Sequence, residues 1–165
     1  MAGDERQYGR ITVPRGRRVD DEAAAALVSS FRDRFRTRKL ADQYMSGTFF
    51  RGSEQPSWVA FGQRHRVFRA ELPGLAIADD LPVLLYLEFW NPPKVFDTMW
   101  RDARDYLLTR HPWEQSEAYV FPPRMEWVVT YTHEFETDME DLILLSGRVD
   151  AILSKDVSAA KGRGT

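Results

Sequence analysis

The chain has no cysteine. Disulfides, thiolate catalysis and Cys-ligated zinc are thereby excluded, and the cytoplasm is the expected compartment. No run approaches the ~20 apolar residues that a membrane-spanning helix needs, so no membrane partner is expected. The opening MAGDERQYGR lacks the apolar stretch of a signal peptide, and secretion by that route is not expected. Phosphate loops are also missing. RGRR and KGRG are basic, but neither has the spacing of GxxxxGK[ST] or GxGxxG. There is no GxSxG, and Ser146 precedes Gly147 without an elbow pattern. HExxH and HxH are absent, and no DxDxDG loop offers a calcium site. These absences predict a protein without cofactor or metal and leave no catalytic constellation to name.

What is present describes a packed globule. The chain has 165 residues, 43% apolar and 13% aromatic, with five Trp, six Tyr and ten Phe. That length suits one domain with a real core, and the aromatic load argues against disorder. The net charge of −2 is unevenly placed. Residues 1–40 hold ten Arg/Lys against six Asp/Glu, a balance of +4, and residues 41–165 hold thirteen against nineteen, a balance of −6. A basic front on an acidic body suits either an arm that touches nucleic acid or plain self-complementarity.

Along the chain, residues 1–19 read as an extended lead-in, residues 20–157 as one α+β domain and residues 158–165 as a disordered tail. Asp20 and Asp21 offer an N-cap, and Leu27, Val28, Phe31 and Phe35 recur at helical spacing, which predicts a helix over 21–38. A second short helical piece is expected over 40–45, ending at Gly47, followed by a loop. Trp58 to Ala70 reads as a strand or a hairpin turning near Gly62. Val83 to Trp90 is a short apolar run between Pro82 and Asn91-Pro92, which predicts a buried strand. Asn91-Pro92-Pro93 reads as a helix entry, and Val95, Phe96, Met99, Trp100, Ala103, Tyr106 and Leu107 form one stripe, so a helix is expected over 92–110. Residues 117–121 form a strand closed by Pro122-Pro123. Met125 to Glu136 alternates with period two, with Val128, Thr130 and Thr132 on the wetter face. Leu142, Leu145, Val149, Ile152 and Leu153 fit a helix through 153, although LILL alone fits a strand. The sum is one α+β domain with a mainly antiparallel sheet of four to five strands and both helices on one face. The expected core is Leu27, Phe31, Phe35, Val83, Leu85, Leu87, Phe96, Met99, Trp100, Leu107, Val120, Trp127, Val129 and Tyr131.

Candidate site residues are few. His65 is flanked by arginines that oppose a metal ion, and His111 precedes Pro112 at a helix end. His133 shares a strand face with Tyr131 and Phe135, which suits a hydrogen-bonded core histidine; a hydrolase would need a carboxylate from another strand beside it. Glu126, Glu134 and Glu136 share the opposite face with Thr132 as an acidic strip. Trp90 and Trp113, near element ends, suit rim anchors for a protein partner. Arg15, Arg17, Arg18, Arg32 and Arg36 would track phosphates if the partner were nucleic acid.

The pieces LPVLLYLEF, the helix from Pro92 to Arg110, EAYVFPPRMEW and YTHE follow the order of a strand, a helix, an acidic-x-Tyr-Val strand and a Trp…Thr-His-Glu close. With His65-Arg66-Val67-Phe68 upstream, this block of about residues 58–136 resembles small bacterial α+β proteins known only as domains of unknown function. The Trp…Thr-His-Glu ending is also similar to small immunity-type proteins of bacterial toxin systems. The resemblance is one of fold and pattern and carries over no catalytic residue; the missing catalytic constellation, the acidic strand face and the aromatics near element ends lead to the expectation of a non-enzymatic protein-binding module of the immunity or accessory kind. The first forty residues and the stretch after Glu136 have no counterpart in it.

Overall fold

The computed structural model describes residues 14–37, 56–88, 92–110, 117–132 and 142–153. Its regular elements are β1 (Arg17–Arg18), α1 (Asp21–Phe35), β2 (His65–Val67), β3 (Pro82–Leu87), β4 (Lys94–Met99), α2 (Trp100–Thr109), β5 (Ala118–Phe121), β6 (Trp127–Thr132) and β7 (Leu142–Gly147). Short 3-10 turns cover Ser57–Ala60, Arg69–Gly74 and Val149–Ala151. The seven strands form one antiparallel sheet in the order β1-β4-β3-β5-β6-β7-β2. The fold is therefore α+β, as expected, but the sheet has seven strands where four to five were expected. Among the described residues no helix is long and apolar enough to cross a membrane.

α1 starts where the sequence places it. The Asp20 carboxylate accepts a hydrogen bond from the Ala23 N–H at 2.9 Å, and Asp21 and Glu22 add negative charge at the positive end of the helix dipole. Ala24, Val28, Phe31 and Phe35 recur every three or four residues and are buried.

The expected helix over 92–110 is a correction. Lys94–Met99 is a strand, paired with β3 from Leu87↔Lys94 to Pro82↔Met99, and the helix begins only at Trp100. Val95 packs on the α1 side of the sheet and Phe96 on the α2 side, as period two requires and a helical stripe does not. The start of α2 has no side-chain cap. Its first amides instead donate to the loop before β3, from Trp100 N–H to the Leu81 carbonyl at 2.9 Å and from Arg101 N–H to that of Asp79 at 3.0 Å. Arg104 then pairs with Asp79 at 2.8 Å.

Three other expectations give way. Leu142–Gly147 is a strand followed by a 3-10 turn: Ile143 and Leu145 face one core and Leu144 the other, as period two requires. Between Trp58 and Ala70 only His65–Val67 pairs as a strand, and Trp58 lies in a 3-10 turn. The second face of β6 is not wet: Val128, Thr130 and Thr132 are as buried as Trp127, Val129 and Tyr131.

The two helices cover opposite faces of the sheet, against the single face expected. Alternate residues decide the sides. Val83, Leu85, Val120, Trp127, Val129, Ile143 and Leu145 pack with Trp100, Ala103, Tyr106 and Leu107 of α2. Leu84, Tyr86, Tyr119, Phe121, Val128 and Leu144 pack with Val28, Phe31 and Phe35 of α1. Strands apolar on both faces need cover on both, which is why two helices cannot share one side. Phe31 touches five rings, those of Phe35, Phe61, Tyr86, Tyr119 and Phe121, with centroids 4.8–5.9 Å away. On the other face Trp100 meets Trp127 edge to face at 6.3 Å. Met99, expected in the core, is 42% exposed, since the end of β4 turns it to the α1 side beyond the reach of that helix. Leu27 is only partly buried.

Candidate functional site

The densest polar constellation lies inside the molecule, on the α1 face. Leu84, Tyr86 and Glu88 alternate along β3 and its extension, so Glu88 points to the same side as Tyr86. Its side chain is only 2% exposed. Tyr86 pairs with Tyr119 across the β3–β5 ladder, and the two rings stack at 5.4 Å. Both phenols donate to the carboxylate, Tyr119 to Oε1 at 2.7 Å and Tyr86 to Oε2 at 3.2 Å. The Ser57 amide donates to Oε1 at 2.8 Å, and the Ser57 hydroxyl donates to Oε2. Arg32 of α1 brings its guanidinium to 3.9 Å from Oε2 and donates to the Tyr86 hydroxyl at 3.5 Å. The Tyr119 oxygen in turn accepts from the Trp58 amide at 3.3 Å.

The chemistry of this group follows from its donors. Two oxygens that accept four hydrogen bonds beside a cation form a satisfied buried carboxylate. Burial, and then the Glu88 charge, push both phenols well above the ordinary tyrosine range; Arg32 opposes this at Tyr86, and Glu117 adds to it at Tyr119. They therefore stay protonated at neutral pH and act as donors. The network is suited to tying α1 and the Ser57–Ala60 turn to the sheet centre. The Trp58 indole N–H and the hydroxyls of Thr130 and Ser146 are buried and have no hydrogen-bond partner among the described residues, and Thr130 sits directly across from Tyr119.

The surface presents two basic edges of different character. At the β1 edge, Arg17 pairs with Asp97 and Arg18 with Asp21, each at 3.1 Å. Together with Arg32 facing Glu88, three of the five arginines expected to track phosphates already face carboxylates. Arg15 and Arg36 are exposed, and the Arg15 carbonyl accepts from the Thr98 hydroxyl at 2.6 Å. At the opposite edge, β2 pairs with β7 alone among the described strands. Arg64, Arg66 and Phe68 are two residues apart, so one face of this extended segment carries all three. All three are exposed, Phe68 to 60%, and among the described residues no carboxylate pairs with either arginine. The Arg64 guanidinium lies over the Trp58 ring at 5.9 Å. The Phe68 amide is held by the Glu71 carboxylate at 2.6 Å, and Arg69 donates to the Leu108 carbonyl, so the strand end is fixed to α2.

Of the sequence-predicted binding residues only Glu126 is among the described ones. Glu126 is half-buried before β6, its carbonyl accepting from the Arg148 amide at 2.8 Å. Trp90, Trp113, His133, Glu134 and Glu136 lie outside the described residues. Among the described residues no group of three or more His, Asp or Glu is placed to hold a metal ion. Sequence reasoning missed Glu88, Ser57, Tyr86 and Tyr119. One signal pointed to them: Glu88 closes an otherwise apolar strand, where a carboxylate is seldom left buried without partners. No family model matches the chain, and no curated protein or solved structure matches it.

Proposed function

We propose that this chain is a non-enzymatic protein-binding module of the bacterial immunity or accessory kind. The observation that carries the reading is the strip of Arg64, Arg66 and Phe68 on the outermost strand β2. A large apolar side chain held out in water beside two guanidiniums that meet no carboxylate among the described residues matches the composition of interface hot spots, where aromatic and Arg anchors dominate. The similarity of the Trp…Thr-His-Glu ending to immunity-type proteins supports the same reading, and the His65–Phe68 motif of the wider resemblance holds Arg66 and Phe68 of this strip. The saturated Glu88 network fits a rigid scaffold behind such a surface. A nucleic-acid role for the front arginines is the weaker reading, because their charge is largely answered by Asp97, Asp21 and Glu88.

The test is capture from a bacterial lysate, with and without nuclease, on immobilised protein, read by mass spectrometry, with wild type beside a Phe68→Ala, Arg66→Glu double variant. The expected result is a stoichiometric protein partner held by wild type and reduced at least tenfold by the variant, whose circular dichroism stays native. Nucleic acid alone in the eluate, or no partner at all, would overturn the proposal.

A further inference from the structure

Resting on the protein-binding reading, the geometry points to the chemistry of the partner: an acidic, extended segment that adds along the outer edge of β2 as an eighth strand. A strand with one neighbour directs about half of its backbone N–H and C=O groups away from the sheet, where a further extended chain can pair with them. Natural sheets protect such edges, and the two ends of this sheet differ in that respect. β1 is two residues long and its arginines are neutralised, a blunted edge. Among the described residues no carboxylate neutralises the arginines of β2 in that way. Its cations Arg64 and Arg66 and its aromatic Phe68 stand on one face, at the two-residue repeat that an added strand also has. Carboxylates two residues apart on the incoming segment meet the two arginines, and an apolar residue two further on meets Phe68.

Charge selects among the occupants. A second copy of this chain joined through β2 about a two-fold axis would set Arg66 against Arg66 and Arg64 against Phe68. Like charges directly opposite in a ladder are destabilising, so self-pairing is disfavoured where an acidic strand is favoured. A helix would meet the arginines but leave the backbone groups of β2 unused.

The experiment uses the full chain and a fluorescein-labelled nine-residue peptide, Thr-Val-Thr-Glu-Thr-Glu-Thr-Val-Thr, whose one face reads two Glu followed by Val in either strand direction, titrated by fluorescence anisotropy at low salt. Three comparison peptides accompany it: Lys in place of Glu, the acidic peptide N-methylated at alternate residues on one edge, and the same peptide N-methylated on the other edge. We expect the acidic peptide to bind, the Lys peptide to bind at least tenfold more weakly, and one of the two N-methyl peptides to lose at least tenfold. Arg66→Glu should reverse the preference towards the Lys peptide, and Phe68→Ala should weaken binding severalfold without altering that preference. Equal binding of both N-methyl peptides and the parent, or an acidic preference that survives Arg66→Glu, overturns the edge-strand inference. A chain that captures a protein partner yet does not prefer the acidic peptide loses this inference and keeps the binding-module reading; one that captures no protein loses that reading.

Discussion

Phe31 and Glu88 stabilise the α1 face by different physics, and single substitutions separate them. Phe31 is fully buried among five rings, so Phe31→Ala removes their contacts and leaves a cavity; the expected loss is about 3–5 kcal/mol by urea denaturation. Glu88→Ala deletes few apolar contacts but strands the Ser57 amide and two phenols without their acceptor. A loss of about 3–5 kcal/mol is expected there too, against only about 1 kcal/mol for Tyr86→Phe. A Glu88→Ala protein as stable as wild type would show that water replaces the carboxylate at little cost. The same phenols set a pH response. Because burial and Glu88 raise their folded values, the folded chain holds phenolic protons more tightly than the unfolded one. Stability is then full below about pH 10, the ordinary tyrosine value, and falls as pH rises beyond it. Urea midpoints between pH 7 and 11 should show that fall, and the Tyr86→Phe, Tyr119→Phe double variant should flatten it. Phe31 was legible from helical spacing alone. Glu88 was not, since its donors come from positions 57, 86 and 119, and no local pattern records them.

At the scale of elements, legibility followed the range of the interactions that decide each one. α1 has its cap, its first-turn acids and its stripe within one stretch, so its start was readable to the residue. Asp20→Ala should cost about 1 kcal/mol, measured by thermal unfolding. β3, β5 and β6 were readable as apolar or alternating runs between prolines. β4 was not, because Val95, Phe96 and Met99 sit at spacings that continue the genuine α2 stripe from Trp100, and only pairing with β3 distinguishes strand from helix. β7 failed for a related reason: with both faces buried, LILL has no alternation to show. Its end does carry a mark. Gly147 has φ +82°, and a Cβ there would lie 2.5 Å from the Glu126 carbonyl oxygen, in backbone that cannot swing away. Gly147→Ala should lose more than about 2 kcal/mol, from positive φ and the clash together. Native-state hydrogen exchange should locate the damage at the Trp127–Gly147 pairing; a midpoint within error of wild type would mean that the β6–β7 end is free to open.

For the whole molecule, the number of strands and the two-sided cover were the least readable features. Both depend on strands as short as Arg17–Arg18 and His65–Val67, whose pairing partners are Asp97 and Phe96 in one case and residues 143–145 in the other. Ending the chain at residue 141 should therefore do more than shorten it. Without β7, the edge of β6 and all of β2 lose their neighbour, and the expected product aggregates and lacks native near-ultraviolet circular dichroism. A monomer with the native spectrum would mean that β7 and β2 are accessory to the core. The pairing of His65 with Leu145 also bears on the order of events during synthesis. Eighty positions separate the two, and at typical elongation rates of about 5–20 residues per second β2 leaves the ribosome roughly 4–16 s before its neighbour is made. Throughout that interval Val67 waits for its β7 neighbour Ile143, so β2 joins the sheet only after β3 to β6 have been made.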